Sequence, residues 1–130
     1  MEMNPWSVAL GAIVTGVLSY RVVPWLVDHI NVKAREQVGA TPEEVRPPTY
    51  GGDILGHLEC AIFFVSFVWP GAIALAPAWL VFKTAAKWKT WDTTKDLTPK
   101  EIPVMYRAFL VGTAANIVAA LAGVVVANLP

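Results

Sequence analysis

Apolar runs long enough to cross a lipid bilayer constrain this chain more than any other feature. The run 6–27 contains one charge, Arg21, and the run 104–127 has Asn116 as its only strongly polar interior residue. A helix of about 20 apolar residues spans the roughly 30 Å of hydrocarbon in a membrane. With 55% hydrophobic residues and a mean hydropathy of +0.50, the 130 residues are predicted to form a single membrane domain, 1–130.

A third apolar stretch, 54–86, is too long for one membrane span. As a single helix its 33 residues would reach about 50 Å. Trp69-Pro70-Gly71 interrupts it near the middle, and Pro-Gly is a turn signal. The sequence therefore predicts an all-α polytopic membrane protein, an up-down bundle of four transmembrane helices. The predicted helices are 6–27, 53–69, 72–88 and 104–127, and the predicted polar loops are 28–52 and 89–103.

The distribution of charge tests the four-helix prediction independently. Four helices put nine of the ten basic residues on one side of the membrane, and the tenth, Arg21, lies within the first helix. By the positive-inside rule that side is cytoplasmic, so both termini and the Pro70-Gly71 turn are predicted outside the cytoplasm. Three helices would put the two basic loops on opposite sides, in conflict with the same rule. We therefore expect a multi-pass membrane protein.

Three charges inside the predicted helices fall at nearly the same depth. Counted from the cytoplasmic ends of their helices, Arg21, Glu59 and Lys83 each lie about 8 to 10 Å inside the membrane. An unpaired charge at this depth is costly, and the short side chain of Glu59 cannot reach the membrane surface. The sequence therefore predicts an intramembrane charge cluster of Arg21, Glu59 and Lys83, with polar neighbours His57, Tyr106 and Asn116.

Small residues predict where helices pack closely. Gly11, Thr15 and Ser19 recur at every fourth position of the first helix. The last helix has the same spacing at Gly112, Asn116 and Ala120. Such faces let helix backbones approach each other, and Asn116 can hydrogen-bond across the contact. We expect these seams between the first and last helices or between subunits.

Patterns typical of catalysis or cofactor binding are not found in the sequence. His57 and Cys60 share a helix face, but zinc needs three or four ligands, and an intramembrane haem would need two well-placed histidines. The serines lack an accompanying base, and there is no Gly-rich phosphate loop. The formal net charge is +0, which gives no sign of a nucleic-acid partner. No metal, cofactor, catalytic residue or nucleic-acid partner is predicted, and enzyme activity is not expected.

Three short motifs in successive helices resemble those of a group of small, uncharacterised bacterial membrane proteins. The motifs are Gly56-x-x-Glu59, Trp79-x-x-x-Lys83 and Tyr106-x-x-x-Leu110-x-Gly112-Thr113, and the likeness covers about half the chain. In that group an arginine follows the glutamate, whereas Cys60 stands there in this chain, a departure that either weakens the match or moves the counter-charge to Arg21. The resemblance implies a four-helix integral membrane fold in the bacterial inner membrane, and no activity.

Two classes of function follow from these expectations. The first is a structural or accessory component of a membrane assembly, formed by self-association or with a larger membrane protein complex, in which the charge cluster fastens the bundle. The alternative is a homo-oligomeric proton or cation transporter or channel in which Glu59 titrates or binds the ion. A third, weaker interpretation is a membrane enzyme or lipid-binding protein in which the lysines of the basic cytoplasmic loop contact anionic lipid headgroups.

Overall fold

The structure is a computed structural model that describes residues 4–39, 51–93 and 101–129. Within these ranges the chain is all-helical and has no strand. The elements are α1 (Pro5–Val17), a π-helical turn (Leu18–Val22), α2 (Val23–Val38), α3 (Gly51–Val68), a 3₁₀ turn (Pro70–Ala72), α4 (Leu75–Thr93) and α5 (Glu101–Ala127). Because α1, the π turn and α2 form one continuous helix, the described chain has four helices, which confirms the predicted all-α class and helix number.

Pro24 explains the π turn that joins α1 to α2. A proline has no N–H to donate, and its ring clashes with the carbonyl group four residues earlier, here that of Tyr20. The wider turn avoids the clash, and the N–H of Val23 donates to the carbonyl of Leu18, five residues back. At the other end of α1, the Asn4 side chain accepts a hydrogen bond from the Trp6 N–H at 3.0 Å and caps the helix.

The first helix is longer than the sequence predicted. We expected it to end near residue 27, but α2 continues to Val38 and stops at Gly39, which has a left-handed φ of 63°. Residues 28–38 are polar but contain no helix breaker, so the fall in hydropathy marks the end of the apolar run and not of the helix. The second predicted loop is also shorter, because α4 extends to Thr93 and α5 begins at Glu101. The rest of both loops lies outside the described residues.

The 33-residue apolar stretch divides at the predicted turn. Ser66 of α3 holds this turn together: its hydroxyl donates to the carbonyl of Ile73 at 3.1 Å and accepts from the N–H of Ala76 at 3.3 Å. Ser66 is only 1% exposed. It therefore satisfies a backbone N–H in the first turn of α4, which would otherwise have no partner inside that helix.

The bundle is organised around α5, which packs against α1, α2 and α3, whereas α4 packs mainly on α3. The Ser7 hydroxyl donates to the carbonyl of Leu129 at 3.2 Å, so the start of α1 lies beside the end of α5. The apolar core at this end draws on α3, α4 and α5, through residues Phe63, Phe64, Val68, Ala76, Ala120 and Ala127. The start of α1, the turn after α3 and the end of α5 thus lie together.

The helices α1 and α5 approach each other closely at two glycines. A Cβ atom built on Gly11 would lie 2.4 Å from the carbonyl oxygen of Gly123, and one built on Gly123 would lie 2.5 Å from that of Gly11. Gly11, Thr15 and Ser19 are all buried, so the predicted small-residue face of the first helix is a packing face. Its partner is centred on Gly123, farther along α5 than the predicted Gly112–Asn116–Ala120 face.

The outside of the bundle is strongly apolar, and several buried residues are polar. Trp6, Val81 and Val125 are 81%, 71% and 65% exposed. Two helices, Pro5–Val38 and Ile102–Ala127, are long and apolar enough to cross a membrane, and only 22% of the most apolar window of each is buried. The apolar helices Ile54–Val68 and Pro70–Ala86 are shorter. The buried polar residues are Thr15, Ser19, Asn31, Glu59, Ser66 and Asn116.

Candidate functional site

An ion pair between α3 and α4 forms the centre of the candidate site. The Nζ atom of Lys83 donates to both carboxylate oxygens of Glu59, at 2.7 Å to Oε1 and 2.6 Å to Oε2. Glu59 is 1% exposed, and the side chain of Lys83 is 20% exposed. Both charges are therefore largely removed from solvent, and each compensates the other.

Residues of α5 complete the hydrogen bonding of this pair. The hydroxyl of Thr113 accepts the third N–H of Lys83 at 2.7 Å, and the side-chain amide of Asn116 donates to Glu59 Oε2 at 2.8 Å. An ammonium group has three donors, and all three of Lys83 are used. The Lys83 ammonium also lies 4.9 Å from the centre of the Phe109 ring, close enough for a cation–π interaction. The pair thus joins α3, α4 and α5.

Cys60 extends the polar cluster toward α1. Its thiol donates to the side-chain oxygen of Asn116 at 3.3 Å and approaches the backbone carbonyl of the same residue at 3.4 Å. The thiol also interacts with the Ser19 side chain. These contacts use the Asn116 oxygen while its nitrogen is bonded to Glu59, so the orientation of the amide is fixed from both sides. Through them the cluster reaches all four helices.

Arg21 does not belong to this cluster, and the predicted network of three charges is an ion pair in the structure. Arg21 is exposed, and its guanidinium carbon lies 5.7 Å from the ring centre of Tyr20. It forms no ion pair with any residue in the described ranges. The reason is helical phase: Ser19 faces the bundle, and a residue two positions later points about half a turn away from it.

The other predicted neighbours of Glu59 lie at different places. Asn116 is 3% exposed and hydrogen-bonded to Glu59, as described above. His57 is half-buried, with its ring 5.9 Å from that of Tyr20. Tyr106 is 50% exposed on α5. The structure thus brings Glu59, Lys83 and Asn116 together, and it leaves His57 and Tyr106 outside the hydrogen bonds of the pair.

Sequence reasoning missed Thr113 and Cys60 as members of the cluster. A signal for Thr113 was present, because it precedes Asn116 by three residues and so lies on the same face of α5, one turn closer to the start of the helix. Cys60 follows Glu59 directly and gave no such signal. Its position depends on how α3 is rotated against α5, which spacing along one helix does not determine.

The cluster consists of one carboxylate, one ammonium group, one thiol and the uncharged polar side chains of Thr113 and Asn116. Among the described residues no group of three or more His, Cys, Asp or Glu side chains comes together to hold a metal ion. No protein-family model, curated protein or solved structure matches the chain. The resemblance to small bacterial membrane proteins therefore stays a prediction. What the site offers chemically is a buried pair of opposite charges with complete hydrogen bonding.

Proposed function

We propose that this chain is a four-span integral membrane protein that serves as a structural or accessory subunit of a membrane assembly. In this proposal the cluster of Glu59, Lys83, Thr113 and Asn116 fastens the helices and transports nothing. The observation that carries the proposal is the complete use of the Lys83 donors by Glu59 and Thr113.

The apolar exterior supports insertion into lipid. The most apolar helix of a soluble protein is mostly buried. In each of the two long helices of this chain, only 22% of the most apolar segment is buried. Large side chains such as Ile13, Phe82 and Leu110 are 61%, 63% and 48% exposed. Exposed apolar surface on this scale is unfavourable in water and favourable in hydrocarbon. Buried polar residues beneath an apolar surface are the arrangement expected of a membrane bundle.

The positive-inside rule supports an orientation with both termini outside the cytoplasm. The start of α1, the end of α5 and the Pro70–Ala72 turn share one end of the bundle, and no lysine or arginine falls in those segments. The helix ends that lead into the two basic loops are at the opposite end of the bundle. In a bacterial cell this orientation corresponds to the inner membrane, with the basic loops in the cytoplasm. Reporter fusions at residue 71 that are active in the cytoplasm would contradict it.

The geometry of the ion pair favours fastening over transport. Glu59 accepts three hydrogen bonds, two from Lys83 and one from Asn116, and is almost completely enclosed. A transported cation would have to displace the Lys83 ammonium from both carboxylate oxygens. A proton on Glu59 would leave Lys83 charged in a low-dielectric site without its counter-ion, which is costly. Each process works against the arrangement that stabilises the bundle.

Charge-removing variants test this proposal. Glu59→Gln leaves the Lys83 ammonium without its counter-charge, and we expect it to unfold at lower denaturant than wild type. Glu59→Gln/Lys83→Met removes both charges, and because a buried pair is often replaced by apolar groups at little cost, we expect it to regain most of the loss. Both are compared with wild type by size-exclusion in detergent and by unfolding.

Flux measurements distinguish the two classes of function. Wild-type protein in liposomes is expected to pass neither protons nor cations. If wild type shows flux that disappears in a folded Glu59→Gln variant, the transporter interpretation replaces the structural one. If the double variant Glu59→Gln/Lys83→Met is no more stable than Glu59→Gln, the pair does not fasten the bundle in the way described.

A further inference from the structure

The contact between α2 and the beginning of α5 contains a second group of polar residues, separate from the Glu59 cluster. The face of α2 that packs here carries Asn31, Ala34, Arg35 and Val38, at the spacing of one helix face. Ala34 and Val104 of α5 are each 2% exposed, and Val38 packs against them. Arg35 therefore lies at a tight helix contact and is only half exposed.

Two polar atoms in this contact have no partner among the described residues. They are the side-chain oxygen of Asn31 and the Nε of Arg35, and both are shielded from solvent. Asn31 is 6% exposed. The α2 carboxylates Asp28 and Glu36 are exposed, and neither pairs with Arg35. A shielded donor and a shielded acceptor without partners are unfavourable, and a molecule that supplied both complements would remove that cost.

The position of this contact relative to the membrane indicates which molecule that is. Arg35 follows the end of the apolar run at residue 27 by eight residues, or about 12 Å along the helix. Side chains on a helix tilt toward its N-terminus, which brings the guanidinium back toward the membrane. Asn31 lies four residues nearer the hydrocarbon. On the membrane placement proposed above, both reach the depth of the lipid headgroups.

We propose that the α2–α5 contact binds the headgroup of a phospholipid that carries both a phosphodiester and a hydrogen-bond donor. The Arg35 guanidinium binds the phosphate oxygens, a pairing for which its planar set of donors is suited. A hydroxyl or ammonium group of the headgroup donates to the side-chain oxygen of Asn31 once the side chains that shield this atom move aside. Phosphatidylglycerol and phosphatidylethanolamine have such donors, and phosphatidylcholine has none. Two exposed basic residues, Lys33 and Arg107, add positive potential nearby. The guanidinium of Arg107 donates a hydrogen bond to the side chain of Gln37.

Short-chain lipids provide a direct test with the full-length protein in detergent. Binding of dihexanoyl phosphatidylglycerol, dihexanoyl phosphatidylcholine and inorganic phosphate is measured by calorimetry on wild type, Arg35→Gln and Lys33→Gln. We expect phosphatidylglycerol to bind wild type, and Arg35→Gln to weaken binding about tenfold or more. Lys33→Gln removes the same charge from an exposed position two residues away, and is expected to change affinity by less than about twofold.

Several outcomes would overturn this proposal. Equal losses of phosphatidylglycerol affinity in Arg35→Gln and Lys33→Gln would show that binding depends on surface charge alone and not on a site at Arg35. Equal affinity for phosphatidylcholine would remove the role of Asn31, and equal affinity for inorganic phosphate would assign the site to a free ion. If Arg35→Gln does not fold, Arg35→Lys keeps the charge but removes Nε, and unchanged binding in that variant would refute the assignment. Extraction from membranes tests membrane insertion separately, so the two proposals fail independently.

Discussion

Replacing Gly123 with alanine perturbs the close contact between α1 and α5. The new Cβ would lie 1.9 Å from the Thr15 hydroxyl, 2.5 Å from the Gly11 carbonyl oxygen and 3.2 Å from the Phe64 ring. The Thr15 hydroxyl donates to the Gly11 carbonyl at 2.9 Å, so rotating it away breaks a buried hydrogen bond. The carbonyl oxygen belongs to the backbone and cannot rotate away. The two helices must therefore move apart.

The structure gives the size of this movement. Ordinary contact begins at 3.4 Å, so the 2.5 Å separation from the Gly11 oxygen requires a shift of about 0.9 Å. Overpacking of this kind costs about 1–3 kcal/mol. The intrinsic preference of alanine over glycine within a helix, about 0.5–1 kcal/mol, acts in the opposite direction. We expect Gly123→Ala to lower the free energy of unfolding by about 1–2 kcal/mol in total.

Gly16→Ala is a matched control for this experiment. Gly16 is exposed on α1, and a Cβ there would meet nothing within 4 Å, so this substitution changes helix preference without crowding. Unfolding is followed by circular dichroism as a denaturing detergent is added to protein in mild detergent. We expect Gly16→Ala to be as stable as wild type or slightly more so. A Gly123→Ala protein as stable as Gly16→Ala would refute the close contact between α1 and α5.

Two other substitutions test single contacts by the same unfolding measurement. Ser66→Ala removes the hydroxyl that bonds the Ala76 N–H, and we expect a loss of about 1–2 kcal/mol. Thr84→Ala is its control, since that exposed hydroxyl donates to the Leu80 carbonyl of its own helix, and an equal loss in both would contradict a special role for Ser66. Arg21→Gln is expected to change stability by less than about 0.5 kcal/mol, because Arg21 is exposed and its guanidinium lies near the Tyr20 ring. A loss as large as that of Glu59→Gln would show that Arg21 belongs to the cluster.

Hydropathy and helix rise predicted the height of residues well. Four helices followed from the length of the apolar runs and from Pro70-Gly71. Counting residues from the polar boundaries put Glu59 and Lys83 at matching depth, and in the structure their charged atoms are 2.6 Å apart. Depth can be counted along one helix at a time because the rise per residue is nearly constant. That regularity does not depend on the other helices.

Direction around the helix axis was harder to predict. Arg21 was predicted at the depth of Glu59, but it lies two positions after Ser19, which faces the bundle, and it is therefore exposed on the opposite side of the helix. Gly123 was missed for a related reason. Several small-residue faces of α5 could have opposed Gly11, and the choice among them depends on how far α1 is offset along α5. Spacing within either helix does not determine that offset.

The two kinds of contact hold different parts of the bundle. Helices in lipid gain little from the hydrophobic effect when they associate, so close packing and hydrogen bonds decide their arrangement. Gly11 and Gly123 provide close packing between α1 and α5. By contrast α4 packs mainly on α3, and its polar side-chain link to α5 is the bond from Lys83 to Thr113. Removing one charge of the Glu59–Lys83 pair should therefore loosen α4 first and leave the α1–α5 contact in place, because the packing of Gly11 against Gly123 does not depend on the pair.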